Sequence, residues 1–248
     1  MNPCLLIPIY DHKDQIRAVL DSLAGFGFDC IVIDDGSGIE TRMVLDAAEK
    51  DFSWLEVYRR DFNGGRGAAL TSGYRLAAKR GFTHAIQLDA DGQHDARDVP
   101  RFVEAIKANP DALVLGTPIF DETAPKSRLY GRQLSRFMVW VTTLSMDVSD
   151  PLCGFRGIPL APTLNLLEQV KMGHHMEFDP QLVIQLYWRG VPVLNLPTKV
   201  VYDAAGLSHF DFVRDNLRLI GVYAQALGGM LLRSPGLLAR RANSSTAA

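Results

Sequence analysis

Through the first half of the chain, short apolar runs alternate with segments of helical periodicity. Residues 4–9 (CLLIPI), 30–33 (CIVI), 54–58, 85–88 and 112–115 have the length and apolar content of strands. Between them, 14–23 carries Ile16, Val19, Leu20 and Leu23 at helical spacing. Further helices are predicted around 43–48, over 67–80 and over 99–108. This β-α-β-α order predicts an α/β fold: a mostly parallel, doubly wound sheet with helices on both faces. Strands covered on both faces need apolar side chains throughout, which is why the early runs are nearly continuous. After about residue 117 the alternation weakens. A polar loop at 121–128, a helix near 134–144, the segment DPLCGFR at 150–156, a helix over 178–187 and a strand at 191–194 follow. The pattern divides the chain into a domain at 1–220, an amphipathic C-terminal helix at 221–241 and a polar tail at 242–248 expected to be disordered.

Composition narrows the function classes. The 248 residues are 47% apolar and 22% charged, enough for one sizeable core. Lys plus Arg number 26 against 28 Asp plus Glu, so no basic field points to nucleic acid. Cys4, Cys30 and Cys153 form no CxxC pair, which argues against zinc and a disulfide framework and fits a reducing cytoplasm. Cys4 and Cys30 lie in apolar runs and are expected to be buried. No basic segment followed by an apolar one opens the chain, so no signal peptide is expected. The longest apolar stretch, near 220–232, falls short of the ~20 residues a membrane span needs.

In doubly wound sheets, ligands bind beyond the carboxyl ends of the strands, and the polar motifs stand there. Tyr10-Asp11 follows the first run, Asp34-Asp35-Gly36-Ser37 the second and Asp89-Ala90-Asp91 the fourth; Asn63-Gly64-Gly65-Arg66-Gly67 closes the third strand-to-helix connection. Asp89 and Asp91, two apart past a buried strand, can grip one hard cation. Mg2+ or Mn2+ prefers oxygen ligands and leaves positions for substrate phosphates. Gln93 and His94 offer a neutral ligand or a supporting contact, although an Asp-Gly turn accounts for the same residues. A carboxylate at 34–35 can accept bonds from a ribose or a base, or cap a turn. The glycines at 64–67 permit close backbone approach at a helix start that favours anions, and Arg66 supplies a fork for phosphate. Arg156 is expected to face the same cleft. Arg128, Arg132 and Arg136 recur every fourth residue on one helix face, as a solvated stripe or a contact for an anionic acceptor. In the segment 174–179 (HHMEFD), Asp179 fits a helix cap before Pro180, whereas Glu177 has no such structural explanation. The spacing is not HExxH, so zinc is not expected.

Taken together, these segments resemble the family-two glycosyltransferases of the GT-A fold. IPIYDH stands where that family has a strand ending in Pro-x-Tyr/Phe-Asn/Asp, and IDDGS and NGGRGAAL follow. LDADGQHD is similar to the polyprenyl-phosphate mannosyl- and glucosyltransferase branch, and DPLCGFR matches that branch's Asp-x-x-x-Gly-Phe-Arg pattern. The resemblance spans roughly residues 3–215. It implies inversion at the anomeric carbon and a nucleoside held by Pro8, Tyr10, Asp11 and Asp35. It further implies Gly65 and Arg66 near the nucleotide, and Asp89, Asp91 and Gln93 around the metal. One departure stands out: the branch has an Arg and then Gly-x-Ser-Lys late in the domain. Here 202–210 (YDAAGLSHF) has His209 in place of the lysine and no arginine. That departure speaks against a polyprenyl-phosphate acceptor, and the sequence from MEFD through LYWRGVPV to GLSHF instead resembles a bacterial subgroup near lipid or envelope biosynthesis.

The expected activity is inverting transfer of a hexose from a nucleotide-diphosphate sugar to a lipid-linked or envelope-glycan acceptor. A polyprenyl-phosphate hexosyltransferase and a non-catalytic nucleotide-sugar binding module are the alternatives. A phosphate acceptor is ionised near neutrality and needs no base; a hydroxyl acceptor does, with Glu177 the first candidate and Asp179 the second. Asp91 and Arg156 complete the expected catalytic set. The stretch 210–232, with Arg214, Arg218 and nearby Arg233, either lies on the inner face of a membrane or packs on the domain. A nucleotidyltransferase would place a Gly-rich basic loop after the first strand, where Pro8-Ile9-Tyr10-Asp11 stands.

Overall fold

The computed structural model of the chain describes residues 1–120, 126–200 and 211–245, apart from the side chains at 126–128, 212 and 241–245. Strands β1 (Pro3–Ile9), β2 (Cys30–Asp34), β3 (Leu55–Arg59), β4 (His84–Gln87), β5 (Leu113–Phe120), β6 (Arg156–Pro159) and β7 (Val193–Val200) form one sheet in the order β3-β2-β1-β4-β6-β5-β7. Around it lie α1 (Lys13–Leu23), α2 (Ile39–Asp51), α3 (Arg66–Lys79), α4 (Val99–Ala108), α5 (Lys126–Thr143), α6 (Leu160–Gln169), α7 (Phe178–Trp188) and α8 (Phe212–Ser245).

The mostly parallel sheet that the alternation predicts is present. Its one reversed strand is β6, which pairs antiparallel with both β4 and β5. Neither β6 nor α6 is anticipated by the sequence pattern. The core lies on both sides of the sheet, and strand alternation divides it. Leu5, Ile7, Ile9, Cys30 and Val32 point to one side, with Ile16 and Leu20 of α1, Leu45 of α2 and Phe102 of α4. Cys4, Leu6, Ile31 and Ile33 point to the other, with Leu70 and Tyr74 of α3, Val139 of α5 and Leu182 of α7. Each fully buried aliphatic side chain here contributes about 1.5–3 kcal/mol relative to exposure.

The C-terminal boundaries need correcting. The division expected at 220/221 falls inside α8, one continuous helix packed on α5 and α7 through Leu219, Tyr223, Ala226 and Leu237. The tail expected to be disordered from 242 is helical as far as Ser245. Residues 246–248, most of the polar loop at 121–128 and the stretch 202–210 with His209 lie outside the described residues. Among the described residues, no helix is long and apolar enough to cross a membrane.

Candidate active site

Strands β1, β2 and β4 end on one edge of the sheet, and the reversed β6 begins there. The first two loops are tied together. Asp11 Oδ1 accepts the Gly38 N–H at 2.7 Å, and the Asp11 N–H donates to Ser37 Oγ at 3.1 Å. Asp11 adopts φ 53°, a left-handed conformation that a short polar side chain tolerates better than most. Pro8 is buried in the sheet two residues before the half-buried Tyr10.

The adjacent carboxylates at the end of β2 have separate partners. Asp34 Oδ1 closes its own turn by accepting the Ser37 N–H at 2.9 Å, and Oδ2 lies 3.7 Å from Arg59 Nε. Asp35 accepts the N–H groups of Gly64 at 3.1 Å and Gly65 at 2.7 Å and pairs with the Arg60 guanidinium. Burial pushes the Asp35 carboxyl up, against the opposing pull of the Gly64 and Gly65 N–H groups and Arg60. The glycine loop is therefore not an open phosphate cradle: its amides at 64 and 65 already bind an internal anion, Asp35. Its close approach is to protein as well. Gly65 has φ +94°, and a Cβ there would lie 2.4 Å from His175 Nδ1.

Arg66, the first residue of α3, is also committed within the protein. Its Nη1 lies 2.7 Å from Asp89 Oδ1, and its Nε donates to Asp179 Oδ2 at 2.7 Å. Asp179 in turn lies 3.0 Å from Arg156 Nη1 through Oδ1. The result is a ladder of alternating charge, Asp89–Arg66–Asp179–Arg156, joining the ends of β4, α3, α7 and β6. Burial lowers the Arg66 guanidinium's affinity for its proton, but the two carboxylates more than offset this and hold it firmly charged. Burial likewise raises the Asp89 carboxyl. Arg66 and His94 outweigh that and hold it well below the usual carboxylate range.

Three sequence-predicted roles change here. Arg156 does not face the cleft. It is fully buried, and its guanidinium donates to Cys153 O at 2.7 Å, Pro151 O at 2.6 Å and Asp179 O at 3.2 Å. A buried guanidinium keeps its charge only with such a set of acceptors, so Arg156 positions Asp179 and the 151–153 turn. Asp179 is not a helix cap, because α7 begins at Phe178. Glu177 does have a structural explanation: its Oε1 accepts the N–H groups of His174 at 3.0 Å and His175 at 3.3 Å, and the side chain is buried. The turn held in this way packs on the glycine loop, with Ala68 N–H donating to His174 O at 3.1 Å.

The carboxylates of the DAD motif differ sharply. Asp89 is seated from several sides: His94 Nε2 lies 3.2 Å from Oδ2, and Gly154 lies so close that a Cβ would stand 2.0 Å from the same oxygen. Phe155 stacks on Phe102 with centroids 4.0 Å apart and lies 5.5 Å from the His94 ring, fixing that wall. Asp91 accepts the Gln93 N–H at 3.0 Å through Oδ1; among the described residues no Lys or Arg pairs with it, and the His94 and His12 imidazoles lie near enough to favour its charged form. Burial and the neighbouring Asp89 charge push its carboxyl up. Among the described residues, no group of three or more His, Cys, Asp or Glu side chains gathers as a ready-made metal cage.

The arginine stripe on α5 is not simply solvated. Arg132 pairs with Asp150 at 2.7 Å, and Arg136 lies over Trp140 at 4.9 Å. The Arg128 side chain lies outside the described residues. The sequence reading missed Arg60 as the partner of Asp35, and Gly154 as the seat of Asp89. Gly154 was visible within DPLCGFR, but nothing in the sequence indicated which side chain it admits.

A mostly parallel sheet with paired aspartates at the end of an inner strand, backed by arginines and a glycine loop, is the plan of a nucleotide-sugar transferase. The family model for glycosyl transferase family 2 matches residues 4–156, and the chain belongs to that family. It is 24% identical over 248 residues to the polyprenol monophosphomannose synthase of Mycolicibacterium smegmatis, covering 94% of this chain and 90% of that protein. With the undecaprenyl-phosphate mannosyltransferase of Micrococcus luteus it shares 27% identity over 165 residues, 63% of this chain and 65% of the relative. Among solved structures, glucosyl-3-phosphoglycerate synthase from Mycobacterium tuberculosis, in complex with Mn2+ and UDP-glucose, matches with a TM-score of 0.69 at 17% identity. That match covers 92% of this chain and 79% of the other, and it places the fold among GT-A glycosyltransferases.

Proposed function

We propose that this glycosyltransferase moves a hexose, with inversion, from a nucleotide-diphosphate sugar to a lipid-linked acceptor, using Mg2+ or Mn2+ held at Asp91. The observation that carries the reading is the division of roles after β4: Asp89 is fixed by Arg66 and His94, while among the described residues no Lys or Arg pairs with Asp91, and the His94 and His12 imidazoles do not offset its burial and the Asp89 charge. A hard cation suits that donor. It relieves the repulsion from Asp89, and it needs few protein ligands because phosphate oxygens complete its shell. Asp91 supplies the carboxylate, with Asp89 and Gln93 beside it. Once bound, such an ion neutralises charge on a departing diphosphate. Pro8, Tyr10, Asp11 and Asp35 form the nucleoside end of the cleft, with Gly65 and Arg66 as its wall. Arg156 and Asp179 hold Arg66 in place.

The two candidate bases favour the alternative in which the acceptor is an ionised phosphate. Glu177 accepts two backbone N–H groups, and Asp179 is held between two guanidiniums. Asp179 is thus not free to take a proton from a hydroxyl, and Glu177 has only its buried Oε2 without a partner; an ionised phosphate has no proton to give up. The Micrococcus undecaprenyl-phosphate mannosyltransferase and the Mycolicibacterium polyprenol monophosphomannose synthase support a lipid-phosphate acceptor, and the Mn2+ and UDP-glucose of the mycobacterial structure support the donor and the ion. Peripheral attachment at the inner face of a membrane, near envelope synthesis, belongs to the same reading. The test is a panel of UDP- and GDP-hexoses, with and without Mn2+, offered a short polyprenyl phosphate or a glycolipid with a free hydroxyl. Mn2+-dependent transfer to the phosphate is expected. No metal-dependent turnover and no thermal shift with any donor would remove the basis for the assignment.

A further inference from the structure

Helices α5 and α8 share an outer face that the fold leaves uncovered. On α5, Tyr130, Leu134 and Phe137 are more than half exposed and follow helical i, i+4, i+7 spacing. On α8, Val213, Leu217, Ile220, Leu231 and Leu238 form a second exposed stripe, while Leu219, Tyr223, Ala226 and Leu237 enter the core from the other side. Around 217–220 and 231–238, α8 is thus apolar on both sides, and helical segments of that kind belong inside a core or against lipid. A single exposed leucine is ordinary, but a stripe running along two packed helices is not. The stripes meet: Phe137 and Trp140 of α5 and Leu238 of α8 line one apolar groove of about 310 Å³ with Val141 and Met146.

Charge selects the occupant. By sequence, α5 and α8 hold nine Lys and Arg and a single acid, Asp215, in a chain whose formal net charge is −2. Arg132 and Arg218 pair with Asp150 and Asp215, and Arg233 and Arg240 contact Trp188 and the α7 carbonyls, but the helix pair keeps a net positive charge by sequence. A second copy of the chain would set positive helices against positive helices, whereas a negatively charged lipid surface complements them. We infer that the joined outer face of α5 and α8 docks on an anionic lipid bilayer. Placement agrees with this. β5 and β7 run parallel to β4, so the strands that α5 and α8 follow both end at the edge that carries Asp89. A bilayer on this face lies next to the catalytic edge. The inference goes beyond the proposed activity, because vesicle binding is read without any transfer and either can fail alone.

The experiment is flotation of the full chain with vesicles of phosphatidylcholine, alone or with phosphatidylglycerol added, at low and high salt. Binding to the anionic vesicles, weakened by salt, is expected. The paired changes Leu217→Glu with Ile220→Glu, and separately Leu134→Glu with Phe137→Glu, should each reduce binding about tenfold or more while leaving the melting temperature in place. Leu231→Glu with Leu238→Glu is a third, independent pair along the same stripe. Three results would overturn the inference: no vesicle binding by the unaltered chain, equal binding to neutral and anionic vesicles, or full binding by every folded variant. So would a dimer in light scattering that these pairs dissolve without any vesicle binding, since the face would then belong to a second copy.

Discussion

Gly154→Ala tests whether the seat of Asp89 matters, because the change adds one methyl group and the structure says where it goes. The φ of Gly154 lies outside the left-handed region, so an alanine there meets no backbone objection of that kind, and its effect is steric. The new Cβ would stand 2.0 Å from Asp89 Oδ2 and 2.5 Å from its Cγ. Restoring ordinary contact requires the carboxylate to retreat by roughly 1–1.5 Å. It cannot do so without loss, since Oδ1 lies 2.7 Å from Arg66 and Oδ2 lies 3.2 Å from His94. Overpacking of this sort costs about 1–3 kcal/mol, and each kcal/mol lowers the melting temperature of a chain this long by about 2–4 °C. The effect on rate should be larger in proportion, because a misplacement of ~1 Å in a reacting constellation loses on the order of 10²-fold.

The assay is paired: thermal melting with and without Mn2+ and donor sugar, and turnover of the same donor. Gly131→Ala is the matched control. It adds the same methyl on exposed α5, where nothing lies within 4 Å, and should be neutral or slightly stabilising. Turnover and melting of Gly154→Ala equal to those of the control would refute the reasoning. A lowered melting point with unchanged metal-dependent turnover would show that Asp89 is structural and leave Asp91 to act alone.

Asp91→Asn should abolish metal-dependent transfer; full activity of that variant in EDTA would exclude the ion from this site. Without metal, the same variant should melt higher than the parent. Because the Asp91 carboxyl is raised in the fold, the parent loses stability as pH rises from the ordinary carboxylate value through the raised one, so the gap should be absent in acid and open with rising pH. Glu177→Gln keeps an acceptor oxygen for the His174 and His175 N–H groups and should retain turnover within about tenfold, whereas a true general base would lose ~10²–10⁴-fold. Arg156→Met strands the charge of Asp179 and the carbonyls of Pro151 and Cys153, and should cost about 3–5 kcal/mol in denaturant unfolding; a cost near zero would mean that Asp179 finds another partner.

Where the sequence was informative and where it was not has one physical cause. The first five strands and the loops beyond them were legible because burial on both faces forces a local pattern, as in CLLIPI and CIVI. Strand β6 was hidden because it has four residues and begins with an arginine, which any hydropathy pattern places outside. Its burial depends on partners that are not recognisable as partners from the sequence, including Asp179, 23 residues away. The same limit applies to the site. The motifs located the edge of the sheet, but the contact between Arg66 and Asp179 spans 113 residues and could not be read from either motif. Reasoning from local chemistry therefore gave Arg66 and the glycine amides to a phosphate, whereas the fold gives them to Asp89, Asp179 and Asp35.

That reassignment bears on the reaction. Among the described residues, Arg60, Arg66 and Arg156 are neutralised from within the protein and offer little fixed positive charge to a diphosphate. In the proposed reaction, the work of balancing the leaving group would then fall on the cation assigned to Asp91. Loss of the ion should accordingly be more damaging here than loss of any single arginine that faces the cleft. Measuring donor affinity for Arg66→Lys with Mn2+ present, against the unaltered chain without Mn2+, would decide it. A larger loss in the lysine variant would return Arg66 to direct phosphate binding.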